Sequence, residues 1–327
     1  MLTRITTATG VPSPDWDRQV AHGGGHVYQS RPWAQFQAAQ GRPVLSAASA
    51  TWSWLAAVRR GRGGITYVYA AYGPTIHADG LTPAVASLVR AGRAVQADFI
   101  RLEPLGAVQD TALRAFGARP VKDMQPRYRL VLDLDHPETH LRRHISASNR
   151  NLINTAAKRG LSWTVSSNPA MMSEYLAMQR QTAARQRFTT QPDAYYEQLA
   201  QTLLPTGAAH LYVAVHDRTP VASAIGMDFG GTRYYLYAAT YPDLNRHLKA
   251  AVALLWWMIV DAKARGLPSF DYGGIAPDDQ PDHPAAGPTR FKQSLGGERV
   301  ASVGTWEIPL KPMKYRIYQW ARTVLPV

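Results

Sequence analysis

Hydrophobic and polar positions follow two different periods along the chain, which predicts a mixture of helices and strands. The first predicted helix covers residues 30–41, SRPWAQFQAAQG, which open with a serine that can cap a helix and place their aromatic residues at near-helical spacing. The next predicted element is a strand over 64–74, GITYVYAAYGP, which is β-branched, aromatic and ended by Gly-Pro. A helix over 81–97 and a strand over 98–106 follow, so the two element types alternate.

A second alternating series starts near residue 125 and indicates a new structural unit. The pattern over 125–138, QPRYRLVLDLDHPE, predicts a strand that ends in a helix-start signature, and residues 140–160 predict one helix closed by Gly160. The remaining predicted elements are a strand over 161–167, helices over 169–187 and 192–204, three strands within 210–241 joined by turns at 216–220 and 230–232, a helix over 246–265 and a strand over 269–275. Hairpins with flanking helices are typical of an acyltransferase-like α+β layer.

The composition is that of a folded protein with two domains. The chain has 327 residues, of which 46% are hydrophobic and 18% charged, and this excludes general disorder. The absence of cysteine excludes disulfides, thiolate metal sites and a cysteine nucleophile. The longest apolar run, residues 250–260, is far shorter than the roughly 20 residues of a membrane span, and no apolar signal-peptide core precedes it. A cytoplasmic location is therefore expected.

The charge balance predicts an anionic partner. The formal net charge is +13, and residues 139–192 contain eight lysines or arginines against one acid, Glu174. Nucleic acid, an acidic membrane face and a phosphorylated small molecule all fit such a charge. A solvated basic helix face that only keeps the protein soluble fits it equally.

Several common sites are excluded by their missing motifs, because the chain contains no GxxxxGK, GxGxxG, HExxH or GxSxG. His136, His140 and His144 are spaced to share one helix face, as zinc ligands can be, but no carboxylate stands at a fitting spacing. We therefore expect a basic helix end there and no metal site.

One Pro-rich segment has the character of a functional loop. Residues 270–298, FDYGGIAPDDQPDHPAAGPTRFKQSLGGE, combine aspartates, an Arg-Phe-Lys run and a Gly-Gly pair outside any amphipathic pattern. The segment resembles the signature region of the FemABX family, the aminoacyl-tRNA-dependent peptidyltransferases that add amino acids to peptidoglycan precursors. Similar blocks occur in the same order over nearly the whole chain, among them GHVYQSRPWAQFQAAQGR, YVYAAYGP, FIRLEP, HLRRHISASNRNLINTAAKRGLSW and GMDFGGTRYYLYAAT.

The resemblance implies an α+β fold of two tandem acetyltransferase-like (GNAT) domains without a coiled-coil arm. By that analogy the first domain comprises residues 1–130 plus 308–327, and the second comprises residues 131–307 with the Phe-Lys and Gly-Gly-Glu motifs. The C-terminal stretch 311–327 is expected to be a helix that packs by its aromatic residues and presents a positive face.

The reaction implied is transfer of an amino acid from aminoacyl-tRNA to an amine of a peptidoglycan precursor, UDP-MurNAc-pentapeptide or lipid II. The product is an interpeptide bridge or side-chain branch. The ester is already activated, so no cofactor is expected beyond aminoacyl-tRNA as co-substrate. The expected partners are aminoacyl-tRNA and the precursor, with contact to the inner membrane surface left open and no DNA.

The resemblance also assigns residue roles. Lys292 matches the lysine implied to lie near the tRNA acceptor end and the developing oxyanion, with an ordinary surface cation as the alternative. Residues implied to bind the tRNA acceptor end are Arg290, Phe291, Gly296 and Gly297. Residues implied to bind the acceptor substrate are Gln37, Tyr72, Arg185, Tyr195, Tyr234, Tyr237, Asp271 and Asp282.

For the arginines and the aspartates, the sequence leaves two possible roles open. Arg185, together with Arg142, Arg143 and Arg150, could meet phosphates or simply face solvent. The carboxylates of Asp271, Asp278, Asp279 and Asp282 could bind a substrate amine or act as turn formers.

Three positions depart from the family pattern and concern the acceptor more than the reaction. Gln37 stands where a lysine is common, Tyr72 where an arginine is frequent, and Leu255 where a glutamine is frequent. The rival functions are tRNA-dependent aminoacylation of a small metabolite, CoA-dependent N-acyl transfer, and RNA or membrane binding without catalysis. The CoA-dependent function is disfavoured because the stretch NRHLKAAVALLW lacks the glycine expected at a pyrophosphate-binding helix start.

Overall fold

A computed structural model describes residues 6–106, 108–186, 190–278, 280 and 282–324. The chain divides into two compact units, each with its own sheet. One unit runs to Arg127 and resumes at Ala301, and the other spans Tyr128–Val300. The sequence analysis placed the return to the first unit at residue 308. The return comes earlier because the strand at 306–309 pairs within the first sheet.

The first unit is a helix-covered sheet with nine strands in its described residues. Its elements before the second unit are β1 (Thr6–Thr9), α1 (Trp16–His22), α2 (Arg31–Ala39), β2 (Val44–Ser49), β3 (Trp52–Arg60), β4 (Thr66–Ala70), β5 (Thr75–Ile76), α3 (Leu81–Ala94), β6 (Phe99–Leu102), β7 (Leu105–Gly106), α4 (Asp110–Arg114) and β8 (Arg119–Pro120). Its core packs α3 against the sheet and contains the fully buried rings of Trp52, Trp54 and Trp306.

The second unit has a sheet with seven strands in its described residues, in the order β10-β11-β12-β13-β14-β9-β15. Its elements are β9 (Tyr128–Asp133), α5 (Glu138–Arg143), α6 (Ala147–Asn154), β10 (Leu161–Ser166), α7 (Met172–Gln186), α8 (Asp193–Leu203), β11 (Ala209–His216), β12 (Thr219–Phe229), β13 (Thr232–Thr240), α9 (Pro242–Leu248), α10 (Ala250–Ala264), β14 (Ser269–Gly274), α11 (Ala286–Gln293) and β15 (Glu298–Ala301). The chain then adds β16 (Trp306–Pro309) and α12 (Pro312–Val324) to the first unit.

Local backbone features agree with one predicted helix start and divide two of the predicted helices. The Ser30 hydroxyl accepts a hydrogen bond from the Trp33 amide, so α2 begins where the sequence predicts. The single helix predicted over 140–160 is wrong. A new helix starts at Ala147 because the Ser146 hydroxyl caps the Asn149 amide. The helix predicted over 246–265 is likewise two helices, because Lys249 between them has φ of 50°.

The apolar helix α10 forms the centre of the second unit's core. Residues of α10 pack on the inner residues of β9, β11, β12 and β14, and include Leu254, Leu255 and Met258. Arg233 on β13 is fully buried and binds Asp228 through two nitrogens and Asp261 of α10 through a third. This ion cluster fixes β13 to α10 because a buried guanidinium requires its carboxylate partners. Among the described helices none is long and apolar enough to cross a membrane.

A buried network attaches α12 to the first sheet. Glu307 on β16 is fully buried and accepts hydrogen bonds from Arg101 on β6, and from Tyr315 and Gln319 on α12, the last two at 2.7 Å. The Arg101 guanidinium also lies 5.0 Å from the ring centroid of Tyr67. One carboxylate therefore joins two strands and a helix.

We expect Glu307→Ala to destabilise the first unit by about 3–5 kcal/mol, because it leaves the Arg101 charge buried and unpaired. Urea denaturation followed by tryptophan fluorescence measures the change. The double variant Arg101→Met with Glu307→Met should recover most of the loss, since it buries no charge. A Glu307→Ala protein with parental stability would contradict the role given to this network.

Candidate functional site

Lys292 lies on a helix, which corrects the expectation of a loop around the Phe-Lys pair. α11 covers Ala286–Gln293, and the Thr289 hydroxyl ties it to the end of β14. That hydroxyl accepts a hydrogen bond from the Ala276 amide at 2.8 Å and donates to the Ala285 carbonyl at 2.7 Å. The helix therefore holds Lys292 at a fixed position beside the last residues of β14.

The Lys292 ammonium is half-buried and reaches the sheet. Its Nζ donates a hydrogen bond to the Gly274 carbonyl at 2.6 Å. Burial removes water from the ammonium and lowers the pKa of Lys292 to about 8, and the nearby carboxylate of Asp271 only partly opposes this shift. At pH 7 the charged form still prevails by about ten to one. The alternative of an ordinary surface cation does not describe such a side chain.

Asp271 is part of the sheet and already has a charged partner. It lies on β14 with 1% of its surface exposed, forms an ion pair with Arg129 of β9, and accepts a hydrogen bond from the Gly273 amide at 2.7 Å. Burial raises the pKa of Asp271, and the Arg129 guanidinium opposes that shift. Asp271 is therefore a strand residue and not part of the loop, and its carboxylate is placed to act on Lys292.

The two parallel strands beside Lys292 pair over only part of their length. Register pairs join Thr232, Arg233 and Tyr234 of β13 to Ser269, Phe270 and Asp271 of β14. Beyond Tyr234, β13 continues to Thr240 without further pairs to β14 in the described residues, whereas β9 pairs with the other edge of β14 from Ser269 to Gly274. The regular parallel pairing therefore ends at Tyr234 and Asp271, and Lys292 binds the last residue of β14, beyond that point.

Two of the predicted tyrosines, Tyr234 and Tyr237, lie on β13, and a third, Tyr195, lies on α8. Tyr234 is buried opposite Asp271, and Tyr237 lies three residues further along β13, beyond the last pair with β14. The Tyr237 hydroxyl lies 2.8 Å from that of Tyr195 on α8, and the two rings meet edge to face with centroids 6.2 Å apart. The structure therefore brings Tyr195 and Tyr237 together on the α8 side of the sheet.

Other predicted residues of the second unit are more exposed. Arg185 is exposed in the last turn of α7, and Arg290 and Asp282 are exposed on and before α11. Asp278 forms an ion pair with Arg299, whose guanidinium lies 3.8 Å from the ring centroid of Tyr128. Phe291 is half-buried against the core. Asp279 lies outside the described residues.

The arginines proposed to meet phosphates differ in their surroundings. Arg142 pairs with Glu138 at 2.8 Å and lies over the ring of Trp256, and Arg150 binds the carbonyl of Ile145 at 2.7 Å. Both side chains thus have local structural contacts, whereas Arg143 is exposed. Of the three histidines, His136 and His140 stack with centroids 4.4 Å apart. The described residues contain no group of three or more metal-binding side chains placed to hold an ion.

The Gly-Gly pair has a packing role that the sequence could not show. Gly297 has φ of 112°, and a Cβ there would lie 3.1 Å from the Val131 carbonyl oxygen and from Leu130. Gly296 has φ of 87° and would approach His144 at 3.2 Å. Both glycines allow the chain after α11 to pass closely over β9.

Gln37 and Tyr72 belong to the first unit and are both buried. The Gln37 carbonyl oxygen accepts a hydrogen bond from Arg42 at 2.9 Å. The Tyr72 hydroxyl donates to the Pro126 carbonyl at 2.9 Å, and its ring packs 4.1 Å from that of His26. Their predicted role toward an acceptor substrate stays a prediction.

Sequence reasoning missed Arg129, Thr289 and the acceptor role of the Gly274 carbonyl. Arg129 lies 142 positions before its partner Asp271, so no local pattern links them. Thr289 stands in the motif itself, directly before Arg290, but its bond to Ala276 depends on the tertiary fold. Only the Arg–Asp complementarity across two predicted strands could have indicated the ion pair.

The two units together define a tandem acetyltransferase-like fold. Similarity to known proteins supports this fold class. Residues 140–293, which run from α5 to the end of α11 and include Lys292, match the family described as acetyltransferase (GNAT) domain. Over these residues the second unit is similar to an acetyltransferase (GNAT) domain, and the expectation of an acyl-transferring enzyme is confirmed at this level. No curated protein matches the sequence significantly.

Solved structures share the architecture of the whole chain. The crystal structure of FemX aligns with a TM-score of 0.80 at 16% identity, covering 95% of this chain and 99% of that chain. L-PGS from Bacillus licheniformis aligns with a TM-score of 0.59 at 12% identity over 97% of both chains. A tandem GNAT protein from the clavulanic acid biosynthesis pathway gives 0.53 at 13% identity, over 94% and 98%. The predicted FemX-like α+β fold is confirmed.

We expect Lys292→Met to stabilise the protein at neutral pH. Because the folded pKa of about 8 lies below the ordinary value of 10.5, the charged form carries a cost that is full below pH 8 and is lost as the pH rises to 10.5. The free energy of unfolding at pH 7 should rise by about 1–3 kcal/mol, and the gain should shrink above pH 8. Urea denaturation at several pH values measures this. The exposed Lys158→Met is the control, and a Lys292→Met protein less stable than the parent would contradict the burial.

Proposed function

We propose that the protein transfers an amino acid from aminoacyl-tRNA to the amine of a peptidoglycan precursor, either nucleotide-linked or lipid-linked. The observation that carries the proposal is the half-buried Lys292 ammonium on α11, which binds the last residue of β14 beyond the part of that strand paired with β13. The FemX-like fold over 95% of the chain supports it. A neighbour described as a putative lysylphosphatidylglycerol synthetase, with a TM-score of 0.57, favours aminoacyl transfer as the broader class.

The chemistry requires stabilisation of a negative charge. When the acceptor amine attacks the ester carbonyl, the carbonyl oxygen becomes an oxyanion, and a preorganised cation lowers the energy of that intermediate. Lys292 is held by the Gly274 carbonyl and has its charge only partly compensated by Asp271, which Arg129 shares. The ammonium therefore has a preference for a further anion. Collapse of the intermediate expels the tRNA ribose hydroxyl and leaves the new amide.

A carboxylate already paired with Arg129 is a poor general base, so we assign Asp271 an electrostatic role toward Lys292. The acceptor amine enters in its neutral form, and its proton leaves to solvent or to the departing hydroxyl. The reaction needs aminoacyl-tRNA as co-substrate and no separate cofactor. The tyrosine pair of Tyr195 and Tyr237 supplies polar hydroxyl groups on the α8 side of the sheet for the acceptor.

The rival CoA-dependent reaction is less well supported by the start of α10. A pyrophosphate site at a helix start uses free backbone amides. Here the Ala251 amide donates to the side chain of Asn245 at 2.9 Å, and the Val252 amide donates to the Lys249 carbonyl at 3.2 Å. Two amides of the first turn are thus already engaged, which favours a donor other than CoA.

Transfer is tested by incubating the protein with charged tRNA and UDP-MurNAc-pentapeptide or lipid II, and looking for a mass gain of one amino acid residue. We expect Lys292→Met to lower turnover by about two orders of magnitude, as for loss of one oxyanion contact, while thermal unfolding shows an intact fold. The exposed Lys158→Met is the matched control. Unchanged turnover in Lys292→Met would remove this residue from the site, and saturable CoA binding without any tRNA-dependent product would favour the acyltransferase.

The pH dependence of the reaction gives a second test. If the ammonium stabilises the oxyanion, kcat/KM should fall as the pH rises through about 8, where Lys292 loses its proton. Asp271→Asn removes the carboxylate that raises the pKa of Lys292 and leaves Arg129 in place, so the fall should move to lower pH. Profiles of the parent, Asp271→Asn and the exposed control Asp217→Asn decide this. A fall at the same pH in Asp271→Asn would contradict the coupling.

A further inference from the structure

The last helix of the first unit has a strongly exposed apolar side. Met313, Ile317 and Trp320 are 72%, 63% and 67% exposed. At about 100° per residue, these positions fall within a stripe about 60° wide along α12. Tyr315, which packs into the first unit, points to the opposite side of the helix. The three exposed residues therefore lie on the side of α12 opposite to the buried Tyr315.

The other exposed large apolar side chains of the described residues do not form such a stripe. They are Val11, Met124, Val165, Leu244 and Val300, with exposures of 37–44%. Single exposed apolar residues are normal on a protein surface, whereas a contiguous set that includes a tryptophan marks an interaction site. The α12 stripe holds the three most exposed of these side chains.

Cations flank the stripe on both sides. On the helical wheel Lys314 lies about 100° to one side of Met313 and Arg316 about 60° to the other. Both are exposed, and no acidic residue occurs between Lys311 and Val324. A narrow apolar stripe with basic borders on a short helix is the pattern of helices that lie in the plane of a membrane interface.

A basic groove adjoins the start of the same helix. The groove has a volume of about 830 Å³ and its charged lining consists of Arg42, Arg59, Arg60, Lys311, Lys314 and Asp98. Asp98 is the single acid, and Lys311 and Lys314 lie 3.1 and 3.5 Å from its carboxylate. The excess of cations favours phosphate groups, and two of these cations belong to α12 itself.

We propose that α12 and this groove form a docking surface for an anionic membrane. The stripe enters the boundary between headgroups and acyl chains, and the flanking cations and the groove bind lipid phosphates. α12 has 13 residues and lies parallel to the surface. This inference stands apart from the proposed reaction, because it concerns where the protein resides and not what it transfers.

Vesicle co-sedimentation tests the surface. The parent protein is incubated with vesicles of equal parts phosphatidylglycerol and phosphatidylcholine, and separately with phosphatidylcholine alone. We expect binding to the anionic vesicles at least about tenfold tighter than to the neutral ones, and weaker at high salt. The triple variant Met313→Ser, Ile317→Ser, Trp320→Ser should lose at least about tenfold of that affinity. Met124→Ser, an exposed methionine of the same unit, is the matched control.

A second measurement reports on the stripe directly. Brominated lipids should quench the fluorescence of the exposed Trp320 in the parent, and Trp320→Phe should abolish that quenching while binding persists. Parental affinity of the triple variant for anionic vesicles, or no binding by the parent, would overturn the proposal. The proposal would also be overturned if the parent proved to be a dimer without lipid and the triple variant a monomer, because the stripe would then bind a second copy. Loss of tRNA binding alone in the triple variant would overturn it as well, because the stripe would then bind RNA.

The same variants separate this inference from the proposed function. Transfer to a nucleotide-linked acceptor in solution should be unchanged in the triple variant, because none of its residues is assigned to the site. Thermal unfolding verifies that the fold is intact. Failure of vesicle binding with transfer preserved would remove the docking surface alone, whereas binding without transfer would remove the reaction alone.

Discussion

The hydrogen bond from the Lys292 ammonium to the Gly274 carbonyl is the constraint on which the site of the second unit depends. It joins α11 to the last residue of β14, beyond the part of that strand that pairs with β13. An ammonium in a half-buried place loses hydration, and a neutral carbonyl replaces only part of it. The lost hydration that is not replaced lowers the pKa of Lys292. Asp271 offsets only part of this shift, because its carboxylate is already paired with Arg129. A site that is costly for the free protein is thereby prepared for an incoming negative charge.

Much of the fold could be predicted because its signals are local. The alternation of periods identifies the strands and most helices, and Ser30 marks the start of α2 as a side-chain cap should. The errors also have local causes. Ser146 and Lys249 each divide a continuous apolar pattern, one by capping and one by a left-handed backbone conformation. Neither changes the hydrophobic period that predicted a single helix.

The site was harder to predict because its determinants are long-range. α11 contains Gly287 and Pro288, which indicate a loop, yet the first turn of a helix tolerates proline because its amides need no internal partner. The motif singled out Lys292 as a residue to test. However, its ammonium binds the Gly274 carbonyl. The charge of the nearby Asp271 is balanced by Arg129 on β9, a strand that is adjacent in the sheet but distant in the sequence. Spacing along the chain carries no information about either contact.

The position of β16 has a consequence for synthesis of the chain. This strand lies between β6 and β8 in the first sheet, and Trp306 and Ile308 complete the core of that unit. Every residue of the second unit leaves the ribosome before β16 does, so the second unit is the one able to finish folding while translation continues. Until then the first sheet has an open edge at β6, and such an edge readily pairs with other strands. Nascent chains that stall before residue 306 would therefore need a chaperone to stay apart.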